Sequence, residues 1–297
     1  MMQELKGSFV ALVTPMKESG AVDYQALNSL VDWHIKSGIN GIVSVGTTGE
    51  SATLNFDDHI KVMTNTFKYI NSRCIAIAGT GANSTQEALD LSKAANKIGY
   101  DYCLSVTPYY NKPTQTGLIK HYETIADAVD IAQILYNVPS RTACDLLPQS
   151  VRHLSKHPNI AGIKEAINTK ERYIELINLS KEIKEKFYVL SGDDSTFYDL
   201  MVAGGDGVIS VAANIVPKTI VEICNLITEN DYDAAKEANK SIEDLYDLLF
   251  IESNPIPVKW ILYKMGKIES GIRLPLTLLD ENFHEETLSE MIKLKIL

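Results

Sequence analysis

Eight short apolar runs with amphipathic segments between them restrict the fold of this chain more than any other feature. The runs are Phe9–Pro15, Gly41–Gly46, Cys74–Gly79, Tyr102–Thr107, Gln133–Asn137, Ile160–Glu165, Phe187–Ser191 and Gly207–Val211. They are rich in Val, Ile and Ala and mostly lack polar alternation, the pattern of strands buried on both faces. Between them lie helical patterns. Asp23–Ser37 carries Leu27, Leu30, Val31 and Ile35 three or four apart, which makes one apolar stripe on a helix. Phe56–Ile70 follows Asn55, a good N-cap, and Ser84 with Glu87 forms a capping box for a helix running to about Lys97. Further helices are expected at Gln115–Val129, Pro148–Ser155, Lys170–Lys184, Ser195–Val202 and Pro217–Thr228. Eight strand–helix units predict a parallel sheet closed as a (β/α)8 TIM barrel rather than an open doubly wound sheet.

The pattern changes after the eighth unit. Asp231–Ile251, Pro257–Met265 and Glu285–Leu294 read as helices with no strand between them. The expected organisation is a catalytic α/β barrel over residues 1–228 and a C-terminal helical extension over 229–297.

Composition excludes several classes of function. The net charge is −10, and the densest basic stretch, Lys181 to Lys186, is interrupted by Glu182 and Glu185. Such a balance argues against nucleic acid or an anionic membrane as partner. No run of about 18 apolar residues occurs, and no basic segment precedes an apolar N-terminal stretch. Cys74, Cys103, Cys144 and Cys224 form no CxxC pair and read as buried thiols of a reducing compartment. A soluble, cytoplasmic protein is the expectation. The six histidines are scattered without HExxH or Cys/His spacing, so no metal site is expected.

In a barrel of this kind the reactive groups collect where strands end. Strand two ends in Gly46-Thr47-Thr48-Gly49-Glu50, strand four in Thr107-Pro108-Tyr109-Tyr110-Asn111, and strand five in Tyr136-Asn137-Val138-Pro139-Ser140-Arg141. Strand six carries Lys164-Glu165 and strand seven ends in Ser191-Gly192-Asp193-Asp194. Lys164 is the strongest single signal. Burial disfavours an ammonium, and a neutral amine attacks carbonyl carbons. The plainer alternative is a lysine that reaches solvent or pairs with Glu165. Gly46–Glu50 offers backbone N–H groups and two hydroxyls to a carboxylate, or is an ordinary turn. It does not match GxxxxGK[ST], which disfavours a nucleotide. Tyr136 and Tyr110 are acid/base candidates, or packed aromatics; a phenol needs a relay, and Thr47 is placed to supply one. Arg141 presents a fork suited to a carboxylate, or a surface ion pair.

Five segments together are specific. Gly46–Ser51, Thr107–Pro113, Tyr136–Thr142, Gly162–Ala166 and Asn254–Lys259 resemble the dihydrodipicolinate synthase family, in order and over essentially the whole chain. The resemblance implies a class I aldolase-type barrel with a helical C-terminal extension, assembled as a homotetramer. It implies condensation of pyruvate with L-aspartate 4-semialdehyde on the route to diaminopimelate and lysine, with no metal or organic cofactor. Lys164 would carry the covalent imine of pyruvate and Tyr136 would exchange protons with it. Thr47 would link Tyr136 to Tyr110, the latter reaching in from a neighbouring subunit. Thr48 would hold the pyruvate carboxylate and Arg141 that of the aldehyde, with Gly192 and Ile209 lining the pocket. The resemblance further implies a lysine effector site including Ser51, Ala52, His59, Asn83, Glu87 and Tyr109. Phe56 departs from the histidine common in lysine-sensitive relatives, which predicts weakened or altered inhibition because a phenyl ring offers only cation–π attraction.

Two rivals are weighed against this. Other lyases of the superfamily, such as N-acetylneuraminate lyase or a 2-keto-3-deoxy sugar-acid aldolase, share the lysine and tyrosine but tend to lack the Thr47-Thr48 pair, the Tyr109-Tyr110 pair and Arg141 in this setting. A non-catalytic sensor on the same fold is the second, since fold alone does not prove activity.

Overall fold

The computed structural model describes residues 4–183 and 186–297. Eight parallel strands follow one another in chain order around a closed barrel. They are β1 (Gly7–Ala11), β2 (Gly41–Ser44), β3 (Ile75–Gly79), β4 (Tyr102–Val106), β5 (Ala132–Asn137), β6 (Ile160–Glu165), β7 (Tyr188–Ser191) and β8 (Gly207–Ser210). The helices that follow the strands are α1 (Tyr24–Lys36), α2 (Phe56–Ile70), α3 (Thr85–Ile98), α4 (Gln115–Ala128), α5 (Pro139–Thr142), α6 (Pro148–Leu154), α7 (Lys170–Glu182), α8 (Phe197–Val202) and α9 (Pro217–Thr228). The remainder forms α10 (Tyr232–Lys240), α11 (Glu243–Leu248), α12 (Ile256–Lys264) and α13 (His284–Lys293).

Contacts divide the described chain into two compact units, residues 4–7 with 75–209, and Ser8–Cys74 with Ser210–Leu297. The first unit is centred on β4 to β7, whose Leu104, Ile134, Leu135, Ile163, Val189 and Leu190 are buried. Leu91 of α3, Leu118 and Ile125 of α4 and Leu176 of α7 are buried as well. In the second unit, Phe9, Val10, Ile42 and Val43 are buried with Leu27, Leu30 and Val31 of α1, Met63 of α2 and Ile220 and Ile223 of α9. All four cysteines are buried and none is joined in a disulfide. Among the described residues no helix is long and apolar enough to cross a membrane.

The helix starts follow the capping chemistry. Asn55 Oδ1 accepts from the Asp58 N–H at 2.9 Å, and the Ser84 hydroxyl accepts from the Glu87 N–H at 3.4 Å. Each satisfies one of the donors a helix leaves open in its first turn.

Several elements differ from expectation, each for a local reason. The strand expected over Phe9–Pro15 pairs over Gly7–Ala11; Leu12 N–H still donates to the Val43 carbonyl, and Pro15, lacking an N–H, does not extend the ladder. The helix expected from Ser195 begins at Phe197, because the Ser195 and Thr196 hydroxyls both donate to Asp193 Oδ2, at 2.6 and 2.7 Å. The single helix expected over Asp231–Ile251 is two, α10 and α11. At the break the Ser241 hydroxyl bonds the Ala238 carbonyl at 2.7 Å, the backbone competition that makes serine a weak helix former. The helix expected over Lys170–Lys184 is observed to Glu182; Lys184 lies outside the described residues. The short α5 was not anticipated; Pro139 at its first position favours it.

Candidate active site

Successive side chains of a strand point to opposite faces, and in β6 that alternation separates two adjacent ionisable groups. Glu165 turns toward the helices. Its carboxylate accepts from Asn137 Nδ2 at 3.1 Å, from the Ile167 N–H at 2.8 Å and from Arg172 Nη1 at 3.3 Å. Lys164 therefore faces the other side, the barrel interior, and the anticipated alternative of a Lys164–Glu165 pair is not what forms. The register of β5 and β6 sets Tyr136 directly beside Lys164. Lys164 Nζ lies 4.1 Å from the Tyr136 ring centroid, and both residues are buried. A Cβ added at Gly192 would lie 2.9 Å from Lys164 Cε, so this glycine leaves the space the lysine side chain occupies. Tyr136, Lys164 and Gly192 are thus brought together.

The scaffold behind them is polar, with Asn137 and Glu165 buried and Asp145 and Arg172 half-buried. Arg172 grips Asp145 with two bonds of 2.8 and 2.6 Å, and Asn137 Nδ2 also donates to Asp145 at 2.8 Å. Burial pushes the Glu165 carboxyl up to about 7, against the opposing pull of the Ile167 N–H, Asn137 and Arg172. At the ends of β4 and β5, the Thr107 hydroxyl donates to Thr142 Oγ1 at 3.2 Å, and the Cys144 thiol donates to the Pro108 carbonyl at 3.1 Å. These bonds fix α5, on which Arg141 stands exposed. Sequence reasoning missed this scaffold. The signal available was the polar residue following each candidate, Asn137 after Tyr136 and Glu165 after Lys164, which alternation directs outward into a buried layer where it needs a partner.

The turn after β2 is backbone-strained. Val45 and Glu50 have φ of 51° and 59°, a region that costs a β-branched residue in particular. Gly49 has no room for a side chain, since a Cβ would sit 2.9 Å from Val45 Cα. Thr47 is half-buried and Thr48 buried. The Thr14 hydroxyl donates to the Gly49 carbonyl at 2.6 Å, Asn254 Nδ2 donates to Thr48 Oγ1 at 3.0 Å, and Lys259 forms a buried ion pair with Glu50. Asn254 and Lys259 belong to a segment that the sequence singled out without assigning either a role.

The remaining candidates are placed as follows. Ile209 is buried in β8. Tyr110 has φ of 74° and is 89% exposed; within this chain its ring is not packed on Lys164 or Tyr136. Asn83, Glu87 and Tyr109 are neighbours. Asn111 Nδ2 donates to the Asn83 carbonyl at 2.8 Å. Burial, with the Glu87 carboxylate close by, raises the Tyr109 phenol. Ser51 and Ala52 lie ahead of α2 and His59 is buried within it. Among the described residues no group of three or more His, Cys, Asp or Glu is placed to hold a metal ion.

The model of the dihydrodipicolinate synthetase family matches residues 4–295. The chain belongs to this family. It is 52% identical over 281 residues to a 4-hydroxy-tetrahydrodipicolinate synthase of Alcanivorax borkumensis, a match covering 93% of each chain. Its structure resembles that of the chloride-inhibited dihydrodipicolinate synthase from Acinetobacter baumannii complexed with pyruvate, with a TM-score of 0.96, 49% identity and coverage of 99% of this chain and 100% of that one. It also resembles the Cyanidioschyzon merolae enzyme with lysine bound, with a TM-score of 0.94, 34% identity and coverage of 99% and 100%. The family's barrel agrees with the eight-stranded closed barrel described above.

Proposed function

We propose that this chain is a lyase that condenses pyruvate with L-aspartate 4-semialdehyde to 4-hydroxy-tetrahydrodipicolinate, in diaminopimelate and lysine biosynthesis. The observation that carries the reading is the buried amine of Lys164 set 4.1 Å from the centre of the Tyr136 ring. A lysine side chain buried at the end of a barrel strand is placed to attack a ketone.

Lys164 attacks C2 of pyruvate; water leaves and a protonated imine remains. The imine withdraws electrons, so a methyl proton departs and an enamine forms. The enamine carbon attacks the aldehyde carbon of the second substrate, and the resulting alkoxide takes a proton. The substrate's own amine then adds to the imine carbon, the ring closes and Lys164 is released. Tyr136 exchanges the protons, relayed through Thr47 to Tyr110 contributed by another subunit of a homotetramer. Thr48 binds the pyruvate carboxylate and Arg141 that of the semialdehyde, while Gly192 and Ile209 line the pocket. This route needs no metal or organic cofactor. Residues 1–228 form the catalytic barrel and 229–297 its extension, the enzyme works in the cytoplasm, and lysine acts as an effector through Ser51, Ala52, His59, Asn83, Glu87 and Tyr109.

A coupled assay with both substrates tests the reading, with Lys164→Ala as control. Turnover in the unaltered chain and none in the variant is expected. No turnover in the unaltered chain, with an active sugar-acid aldolase assay instead, overturns the substrate assignment.

A further inference from the structure

Two residues of the C-terminal part of the chain hold the turn after β2 from both ends. Asn254 Nδ2 donates to Thr48 Oγ1 at 3.0 Å, a buried bond between residues 206 apart in sequence. Five residues on, Lys259 of α12 pairs with Glu50, and both side chains are almost fully buried. The second oxygen of Glu50 accepts from the Thr53 hydroxyl at 3.0 Å and from the Arg273 N–H at 3.3 Å. The strained Glu50 backbone is thereby locked, and Thr48, two residues before it, is locked with it.

The chemistry of the Thr48 bond has a direction. A hydroxyl has one proton to donate and two lone pairs, whereas an amide nitrogen only donates. With Asn254 filling a lone pair, the Thr48 proton is left to point elsewhere. An anion in front of the turn would meet a hydroxyl already committed as a donor, with no reorientation required on binding. Were residue 254 an acceptor instead, it would draw that proton to itself and the anion would face lone pairs.

We propose that Asn254 is a positioning residue for recognition of the ketone's carboxylate, acting by fixing the Thr48 hydroxyl as a donor, with the Lys259–Glu50 pair holding the turn that carries it. The inference rests on Thr48 as the carboxylate-binding group of the reading above. It assigns to the C-terminal segment a part in substrate affinity separate from the imine chemistry at Lys164.

The test is borohydride capture of the imine on Lys164, read by mass spectrometry against ketone concentration. The ketones are pyruvate and hydroxyacetone, which lacks a carboxylate. Asn254→Ala is expected to raise half-saturating pyruvate about two- to tenfold, the range for one hydrogen bond between neutral groups. Asn254→Asp, of the same shape but an acceptor with negative charge, is expected to raise it further. Hydroxyacetone capture stays as in the unaltered chain in both, which also reports an intact fold. In a Thr48→Val background, Asn254→Ala is expected to add nothing, as for two residues acting as one unit. Unchanged pyruvate dependence in both variants, or a parallel loss of hydroxyacetone capture, overturns the inference. Absence of any pyruvate adduct on the unaltered chain strikes the proposed function itself, an outcome distinct from indifference of the variants on an active chain.

Discussion

Lys164 and Tyr136 stand directly opposite each other across the β5–β6 ladder, and the lysine Nζ sits 4.1 Å from the centre of the tyrosine ring. The ring therefore has two parts to play, as the wall beside the amine and as the carrier of a hydroxyl. Tyr136→Phe separates them. The variant keeps the wall and is expected to retain a pyruvate adduct trapped by borohydride, while turnover falls about 10²- to 10⁴-fold, the usual contribution of a positioned proton donor. Lys164→Ala is expected to lose both. Undiminished turnover in Tyr136→Phe would remove the hydroxyl from the mechanism.

Gly192 sets the position of the nucleophile sterically. A methyl group there would stand 2.9 Å from Lys164 Cε, 3.1 Å from its Cγ and 3.2 Å from Ala166 Cβ. The lysine side chain is the flexible partner, so it moves and the backbone stays. Gly192→Ala is expected to slow imine formation by about tenfold or more, since a shift of about 1 Å in a reacting group is costly. Its thermal midpoint should fall only modestly. Stopped-flow trapping with pyruvate, set beside a melting curve, distinguishes this from general unfolding. Equal capture rates would show that the lysine accommodates the methyl without leaving its productive position.

Glu165 makes stability depend on pH in a direction opposite to most carboxylates. Burial raises its carboxyl from an ordinary value of 4.5 to about 7. Between those values the folded chain holds the proton more tightly than the unfolded chain does. Its favourable contribution is thus complete below pH 4.5 and is lost as pH rises through 7. Glu165→Gln, neutral at every pH, should not show this loss, and Arg172 keeps Asp145 as partner. The unfolding free energy of the glutamine variant, relative to the unaltered chain, is expected to rise by about 2–4 kcal/mol from pH 4.5 to pH 8. Denaturant titrations at the two pH values measure it; a constant difference would show that folding leaves the carboxyl at its ordinary value.

The barrel was legible because its strands are buried on both faces and so appear as unbroken apolar runs, such as Ile160–Ile163, between amphipathic helices. Lys164 was legible for the same reason, as a charge at the end of such a run. What stayed hidden were contacts made by residues far apart in sequence. Nothing local to Asn254 says that its amide meets Thr48, or that Lys259 meets Glu50, because both bonds depend on where the C-terminal helices return. Helix ends were misjudged where side-chain hydroxyls compete with the backbone, as at Ser195, Thr196 and Ser241. The alternation that placed Lys164 inward also placed Glu165 and Asn137 outward, and following it one residue further would have pointed to the Asp145–Arg172 network.

Phe56 bears on regulation. It is the first residue of α2, after the N-cap Asn55, and its ring is 43% exposed. Ser51 and Ala52 precede it, His59 follows one turn later, and Asn83, Glu87 and Tyr109 are gathered after β3 and β4. An imidazole nitrogen accepts a hydrogen bond from an ammonium. A phenyl ring cannot, and its face gives about 0.5–1 kcal/mol of cation–π attraction at an exposed position. Lysine is therefore expected to inhibit the unaltered chain weakly, with half-inhibition above about 1 mM, some 4 kcal/mol of binding. Phe56→His should lower that concentration about three- to tenfold, the effect of one added hydrogen bond. The substitution lies at a helix start and alters none of the groups assigned to the imine chemistry, so turnover without lysine should be unchanged. Initial rates against lysine concentration for both proteins decide the matter: strong inhibition of the unaltered chain below about 1 mM would show that the aromatic ring serves the effector as well as the imidazole it replaces.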